Sequence, residues 1–179
     1  MWWQLSTAAA LAGGYAWLRG FEQRQLYRPV GPLAHTPDEA GLPYEDVTFE
    51  TEDAVRLHGW WIPSAAPRGT VLFCHGNGSN IGDRVELAAA LQALGVHVFL
   101  FDYRGYGLSA GRPSECGLYR DARAACAAVR ERGGGALPVV AYGRSLGGAV
   151  ALQLACDRPL QGLIIESTFT SAVDMAHRL

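Results

Sequence analysis

The stretch from Pro138 to Asp157, PVVAYGRSLGGAVALQLACD, restricts the fold more than any other part of the chain. It begins with residues that favour a β-strand and continues as an apolar, alanine-rich run at helical spacing. The change occurs at Gly143–Gly147, which has the pattern G-x-S-x-G. In this pattern the serine sits at a strained strand-to-helix turn, and the two glycines let neighbouring backbone approach that turn. The sequence therefore predicts a nucleophile elbow with Ser145 as the nucleophile.

The residue after the serine is expected to assist it. A helix beginning at Leu146 would place its positive end beside the Ser145 hydroxyl. The backbone N–H of Leu146 would then point to the place where an oxyanion forms. A simpler alternative is that Ser145 only caps the N-terminus of a buried helix. The strand before the motif and the helix after it favour the catalytic interpretation.

Composition sets the broad class of the protein. A chain of 179 residues with 49% hydrophobic residues suits one domain with a substantial core. The net charge of −2 gives no indication of a nucleic-acid partner. All 15 basic residues are arginine, which excludes Schiff-base lysine chemistry.

The four cysteines have no short paired spacing, so we expect neither a disulfide framework nor a metal site, and no cofactor; they are Cys74, Cys116, Cys126 and Cys156. Cys74 lies just before a glycine-rich turn, where a reactive thiol is one interpretation. A small buried residue is the favoured one.

The N-terminal residues 1–18, MWWQLSTAAALAGGYAWL, carry no charge and have tryptophans near both ends. This pattern favours a single membrane anchor at the short end of the spanning range. A cleaved signal peptide, suggested by Ala10–Ala12, and an amphipathic or buried helix are the alternatives. The arginines that follow slightly favour a cytoplasmic location for the rest of the chain.

Residues 19–43 are predicted to form a linker, extended from Tyr27 onward, and the folded domain is predicted to occupy 44–179. An antiparallel edge hairpin is expected first, followed by alternating strands and helices. The predicted strands are 44–51, 56–63, 70–75, 96–101, 138–144 and 160–166. The predicted helices are 83–94, 115–132, 146–157 and a short helical start at 172–179. Such alternation builds a mostly parallel sheet with helices on both faces, an α/β fold.

Two glycine-rich loops follow buried strands of this predicted sheet. The first, His75–Asn80 (HGNGSN), can present a backbone N–H to a carbonyl oxygen, and Asn77 is the predicted donor, together with Leu146. A phosphate-binding loop is disfavoured because the required spacing and lysine are missing. His75 is a candidate general base, but a histidine that orders its loop is the favoured interpretation.

The second loop begins with Asp102–Gly107 (DYRGYG). Asp102 is a candidate catalytic acid because it ends a buried strand. It comes before the serine in the chain, however, and an aspartate that fixes the glycine loop is the favoured interpretation.

These motifs, in this order, make the chain similar to the α/β-hydrolase superfamily. It resembles most the membrane-anchored branch that includes the α/β-hydrolase-domain depalmitoylases, and the likeness runs from about Leu26 to Met175; the motifs that carry it are HGNGSN, FDYRGYGLS, PSECGLYRDA, GRSLGGAVA and LIIESTFTS. The resemblance implies an α/β-hydrolase fold and Ser145 as nucleophile. It also implies an oxyanion hole at the backbone of Asn77 and Leu146.

In the family the acid and the histidine of the triad follow the serine, after later strands. The sequence predicts that the fold is truncated after the strand at 160–166, without these two residues and without the C-terminal part. Glu166 and His177 follow Ser145 in the right order, but they are disfavoured as replacements because His177 lies on a predicted helix.

Two functional hypotheses remain open. The first is a serine hydrolase that cleaves an ester or thioester of a small-molecule or acyl substrate, represented by an N-terminal part. The second is a non-catalytic, membrane-anchored module, because a serine without a base is a poor nucleophile.

Overall fold

The computed structural model describes residues 13–14, 26–133 and 137–169, and the structural statements below concern these residues. They contain six strands: β1 (Glu45–Glu50), β2 (Arg56–Ile62), β3 (Thr70–Cys74), β4 (His97–Phe101), β5 (Val139–Arg144) and β6 (Gly162–Glu166). The strands form one sheet in the order β1-β2-β4-β3-β5-β6. β1 and β2 form an antiparallel hairpin, β2 also runs antiparallel to β4, and the remaining neighbours are parallel.

Three α-helices cover this sheet: α1 (Val85–Ala93), α2 (Glu115–Arg132) and α3 (Leu146–Asp157). Helix α1 packs against one apolar cluster together with Phe73 and Leu100. Helices α2 and α3 pack against a second cluster, which contains Leu72 and Phe99. Neighbouring residues of β3 and of β4 thus point to opposite faces, and both faces are covered. The predicted mostly parallel sheet with helices on both faces is confirmed.

The local signals of α2 are clear in the sequence. The Ser114 side chain accepts a hydrogen bond from the Gly117 backbone N–H at 3.2 Å, as an N-cap serine does. The apolar residues that recur at helical spacing are all buried, namely Leu118, Ala122, Ala125 and Val129. The helical period of apolar residues is enough to place this helix.

Two local predictions were wrong in detail. The helix predicted at 83–94 begins as a 3₁₀ turn, Ile81–Arg84, capped by the Asn80 side chain, and α1 ends at Ala93. Leu94, the last residue of the predicted helix, is 60% exposed because the helix has ended before it. Within the segment predicted as an extended linker, Pro37–Ala40 forms a 3₁₀ turn and Leu42 is buried.

The membrane anchor predicted at 1–18 and the helix predicted at 172–179 lie outside the described residues, apart from positions 13 and 14. Among the helices that the structure describes, none has the length and apolar character needed to cross a bilayer.

The path of the chain through the sheet determines where a site can form. From β3 the chain moves to β4 on one side, and from β4 it crosses to β5 on the other side of β3. The carboxyl ends of β3 and β5 are therefore neighbours at the point where the strand order reverses. Open α/β sheets bind ligands in the crevice at such a point.

Candidate active site

Ser145 lies at the junction of β5 and α3 in a strained backbone conformation, with φ 54° and ψ −118°. A positive φ is uncommon for a residue with a side chain, and strained backbone of this kind concentrates at functional sites. Three hydrogen bonds hold the conformation. The Ser145 N–H donates to the Glu166 carbonyl at 2.9 Å, and the Ser145 carbonyl accepts from Gly148 N–H and from the Thr168 hydroxyl.

The glycines of the motif are required by close backbone contacts. A Cβ atom at Gly147 would lie 1.9 Å from the Cys74 carbonyl oxygen, and one at Gly143 would lie 2.1 Å from the Gly147 carbonyl oxygen. The elbow therefore packs directly on the end of β3. The predicted strand-elbow-helix geometry is present.

The turn after β3 lies beside the serine. A Cβ atom at Gly76 would be 3.4 Å from the Ser145 Cβ and 3.4 Å from the Arg144 carbonyl oxygen. The backbone N–H groups of Asn77 and Leu146 donate to no residue in the part of the chain that the structure describes. Their role as oxyanion donors stays a prediction.

His75 and Asp102 lie beneath this turn, completely buried. The His75 Nδ1 atom is 2.8 Å from the Gly76 carbonyl oxygen, and its Nε2 atom is 3.5 Å from Asp102 Oδ1. Asp102 Oδ1 also accepts a hydrogen bond from the Ile81 backbone N–H at 3.0 Å. His75 thus binds the backbone of its own turn, as the favoured interpretation expects. The Asp102 side chain instead binds the backbone that follows this turn, so among the described hydrogen bonds it does not fix its own glycine loop as predicted.

Burial shifts both groups toward their neutral forms. It lowers the pKa of His75 to about 4 and raises the pKa of Asp102 to about 7. With the His75 proton on Nδ1, where it donates to Gly76, the unprotonated Nε2 faces the carboxyl group. Burial therefore favours a neutral His75 and a protonated Asp102 over a buried ion pair at mildly acidic pH. Within the described residues, neither His75 Nε2 nor Asp102 Oδ2 has a hydrogen-bond partner.

The loop after β4 is held by a different network. The Arg104 guanidinium binds both oxygens of Asp53 at 2.8 and 2.9 Å, and its Nε atom donates to Asp121 at 2.9 Å. The Arg104 backbone N–H donates to the second oxygen of Asp121. These contacts join the β1–β2 turn, the loop and α2.

Glu166, the candidate acid, is engaged elsewhere. It accepts a hydrogen bond from the Tyr142 hydroxyl at 2.5 Å and lies 3.4 Å from Arg144 Nε. His177 lies outside the described residues. The four histidines that the structure describes all have hydrogen-bond partners other than Ser145: His35 with Glu39, His58 with Asp46, His75 with Gly76 and His97 with Ser64. No described residue therefore stands out as the general base.

Arginines contribute positive charge near the elbow. Arg84 donates to the Ser79 hydroxyl in the turn after β3 at 2.6 Å. Burial, and then the nearby positive charge of Arg144, lower the pKa of Arg84.

The Cys74 thiol is fully buried, and burial raises its pKa to about 12. It is the small buried residue that the sequence favoured, because a thiol that does not ionise is a poor nucleophile. No group of residues able to hold a metal ion is found within the described ranges.

Comparison with known proteins identifies the family. The family model described as "Serine aminopeptidase, S33" matches residues 65–178, which is more than half of the chain. The chain belongs to this family of α/β-hydrolases. The α/β hydrolase domain-containing protein WAV2 of Arabidopsis thaliana is 40% identical over 177 residues, covering 93% of this chain and 58% of that protein. An uncharacterized membrane protein of Saccharomyces cerevisiae, YNL320W, is 40% identical over 144 residues, covering 76% and 49%.

Solved structures agree with this assignment. An α/β-hydrolase from Vibrio vulnificus superposes with a TM-score of 0.72 at 30% identity, covering 90% of this chain and 62% of that one. The esterase Pf2001 of Pyrococcus furiosus gives a TM-score of 0.63 at 28% identity, covering 71% and 51%. The chain spans about 60% of the length of WAV2 and of two further curated relatives that it matches. The predicted membership of the α/β-hydrolases is confirmed.

Proposed function

We propose that this chain carries the nucleophile and the oxyanion hole of a serine hydrolase that cleaves esters or thioesters through an acyl-enzyme. The observation that carries this proposal is the strained Ser145, held at the junction of β5 and α3 directly beside the Gly76 turn. Similarity to an esterase supports the reaction class.

In the proposed reaction the Ser145 Oγ atom forms a bond to the substrate carbonyl carbon while its proton passes to a general base. The carbonyl oxygen becomes an oxyanion, which accepts hydrogen bonds from the backbone N–H groups of Asn77 and Leu146. Collapse of this intermediate breaks the bond to the alcohol or thiol, which takes up the proton. Water then releases the acyl group from Ser145 by the same steps.

The location proposed for this protein is a membrane surface, through a single anchor in residues 1–18, with the cytoplasmic side slightly favoured. The uncharged composition of that stretch supports it. The similarity to a relative named as a membrane protein supports it as well. Release of the protein from membranes by alkaline carbonate alone would argue against an anchor.

A fluorophosphonate probe tests the nucleophile, because it reacts only with an activated serine. We expect the complete gene product to be labelled, and Ser145→Ala to abolish the labelling while leaving the unfolding temperature within a few degrees. Ser64→Ala is the matched control, since its side chain makes no hydrogen bond within the described residues. It should be labelled like the unmodified protein.

Absence of labelling in folded protein would instead support the non-catalytic module. The substrate class is tested with matched p-nitrophenyl esters, acyl thioesters and aminoacyl anilides. Ester or thioester turnover that depends on Ser145 supports the proposal, and turnover of the anilides alone would replace it with a peptidase.

A further inference from the structure

The side chain of Asn77 is tied down although the residue lies on the surface. Its Oδ1 atom accepts hydrogen bonds from the Arg28 backbone N–H and from the Tyr106 hydroxyl, both at 2.8 Å. Its Nδ2 atom donates to the Leu26 carbonyl oxygen at 2.5 Å. One exposed amide therefore bonds two distant parts of the chain.

One of these parts is the segment Leu26–Pro32, which we call the strap. It crosses both glycine-rich loops. The buried Asn80 side chain donates to the Val30 and Pro32 carbonyl oxygens at 3.2 Å each. The Gly107 N–H, in the loop after β4, donates to the Val30 carbonyl at 2.9 Å. The strap is thus held through its backbone by both asparagines of the turn after β3.

The backbone of this turn does not fix the position of Asn77 by itself. Its neighbours in the chain are Gly76 and Gly78, and Gly78 has φ +73°. Glycine allows many backbone conformations, so ordering a Gly-Asn-Gly sequence costs more conformational entropy than ordering other residues. Contacts from outside the turn must supply the order, and the described contacts of the Asn77 side chain are those with the strap and Tyr106.

We propose that the Asn77 side chain is a positioning group for its own backbone N–H, and that the strap and Tyr106 are the fixed points to which it is tied. This role rests on the proposed function, in which that N–H stabilises the oxyanion. The strap begins immediately after residues 1–25, so the segment leading into the domain becomes part of the support of the active site. Displacement of the N–H by about 1 Å is enough to reduce a rate by about two orders of magnitude.

The test is the rate of fluorophosphonate labelling, resolved into binding of the probe and the maximal inactivation rate. Asn77→Ala keeps the backbone N–H and removes all three ties. We expect its maximal inactivation rate to fall about 10- to 100-fold with little change in probe binding. Tyr106→Phe removes one tie and is expected to lower the rate by about 2- to 5-fold, which keeps the test available if Asn77→Ala folds poorly.

Tyr44→Phe is the matched control. Its ring packs edge-on against Trp60, and burial, then the nearby Asp38 and Asp46, raise the pKa of its hydroxyl. Removing that hydroxyl is therefore the same chemical change away from Asn77. We expect its labelling rate to equal that of the unmodified protein. A purely structural role for Asn77 would lower the unfolding temperature without a change in the inactivation rate at a temperature where the variant is folded.

The two proposals fail in different ways. If the unmodified, folded protein is not labelled at Ser145, the serine hydrolase proposal is wrong and the positioning role falls with it. If the unmodified protein is labelled and both Asn77→Ala and Tyr106→Phe react within twofold of its rate, only the positioning role is overturned. A loss that appears in probe binding instead of the inactivation rate overturns it as well.

Discussion

The two glycine-rich loops of this protein, 75–80 and 102–107, contain two glycines each and have different structural roles. The turn after β3 touches the nucleophile: Gly76 lies against Ser145, and Asn77 and Gly78 are exposed. The loop after β4 contacts the scaffold instead. Its Arg104 binds the buried carboxylate of Asp121 and the half-buried carboxylate of Asp53.

Position in the sheet explains the difference. β3 and β5 are neighbours, so the loops that follow them meet, whereas β4 is separated from β5 by β3. A loop at the switch point can reach the nucleophile, and a loop one strand away can only support it. Similar glycine content therefore does not mean similar function.

The largest expected effect comes from breaking the contact between the first loop and the elbow. In Gly147→Ala the new Cβ would meet the Cys74 and His75 carbonyl oxygens at 1.9 and 2.6 Å, and backbone cannot move aside cheaply. We expect more than about 4 kcal/mol loss of unfolding free energy, or failure to fold, in the complete gene product. Urea unfolding followed by the fluorescence of the buried Trp60 measures it.

Gly162→Ala is the control for this effect, because its Cβ would meet only the Val140 side chain, at 3.2 Å. A Gly147→Ala protein as stable as Gly162→Ala would contradict the packing of elbow on β3.

Removing the positive charge of Arg104, which holds the second loop, should lower the unfolding free energy by nearly as much. Arg104→Met leaves the fully buried Asp121 without its charged partner, and losing one member of a buried pair costs about 3–5 kcal/mol. Arg120→Met, which removes an exposed partner of Asp53, should cost less than about 1 kcal/mol. Equal unfolding midpoints in urea for the two variants would show that the second loop is not a scaffold.

The pH dependence of the unfolding free energy distinguishes the contribution of Asp102 from that of His75, the buried pair below the first loop. Asp102 has a raised pKa, so its contribution is lost as pH rises from about 4 through about 7. His75 has a lowered pKa, so its contribution is lost as pH falls from about 6.5 toward about 4. In Asp102→Asn only the second loss remains.

The unfolding free energy of Asp102→Asn should therefore rise with pH up to about 6.5 and then stay level. Relative to this variant, the unmodified protein should lose stability as pH rises to about 7. Between about pH 4 and about pH 7, the difference between the unfolding free energies of the two proteins should change by about 1 kcal/mol per pH unit, since one pKa unit is worth 1.36 kcal/mol. The charged neighbours Asp83 and Arg84 are the same in both proteins. Parallel profiles in urea unfolding would rule out a buried, protonated Asp102.

The smallest effect belongs to a single hydroxyl of the second loop. The Ser109 hydroxyl donates to the Asp102 carbonyl at 2.7 Å and accepts from the His58 N–H at 2.9 Å. Ser109→Ala should cost about 1–2 kcal/mol and leave the rate of probe labelling unchanged. A change in labelling without a change in stability would place this loop closer to the chemistry than the sheet order allows.

The sequence predicted the elements well where a local signal exists. Short stretches of sequence were enough to predict three features: α2 from its capping serine and apolar period, β3 and β4 from their continuous apolar runs, and the elbow from the G-x-S-x-G motif. The exposed Leu94 and the 3₁₀ turn before α1 were missed because the point where a helix ends depends on its neighbours.

The candidate site was predicted in part for the same reason. Ser145 can be read from its motif, because a strand, a glycine-flanked serine and a helix are contiguous in sequence. The ties from Asn77 to the strap join residues 49 and 51 positions apart, and no local pattern indicates them.

The sequence by itself determined that this chain builds a parallel α/β sheet with a strained serine after one of its strands, since propensity, apolar period and glycine spacing act over a few neighbouring residues. The tertiary structure alone decided what holds the loop beside that serine in place and where the second glycine-rich loop is anchored. The order of strands and hydrogen bonds across about 50 positions depends on packing of the whole chain, which no local stretch of residues contains.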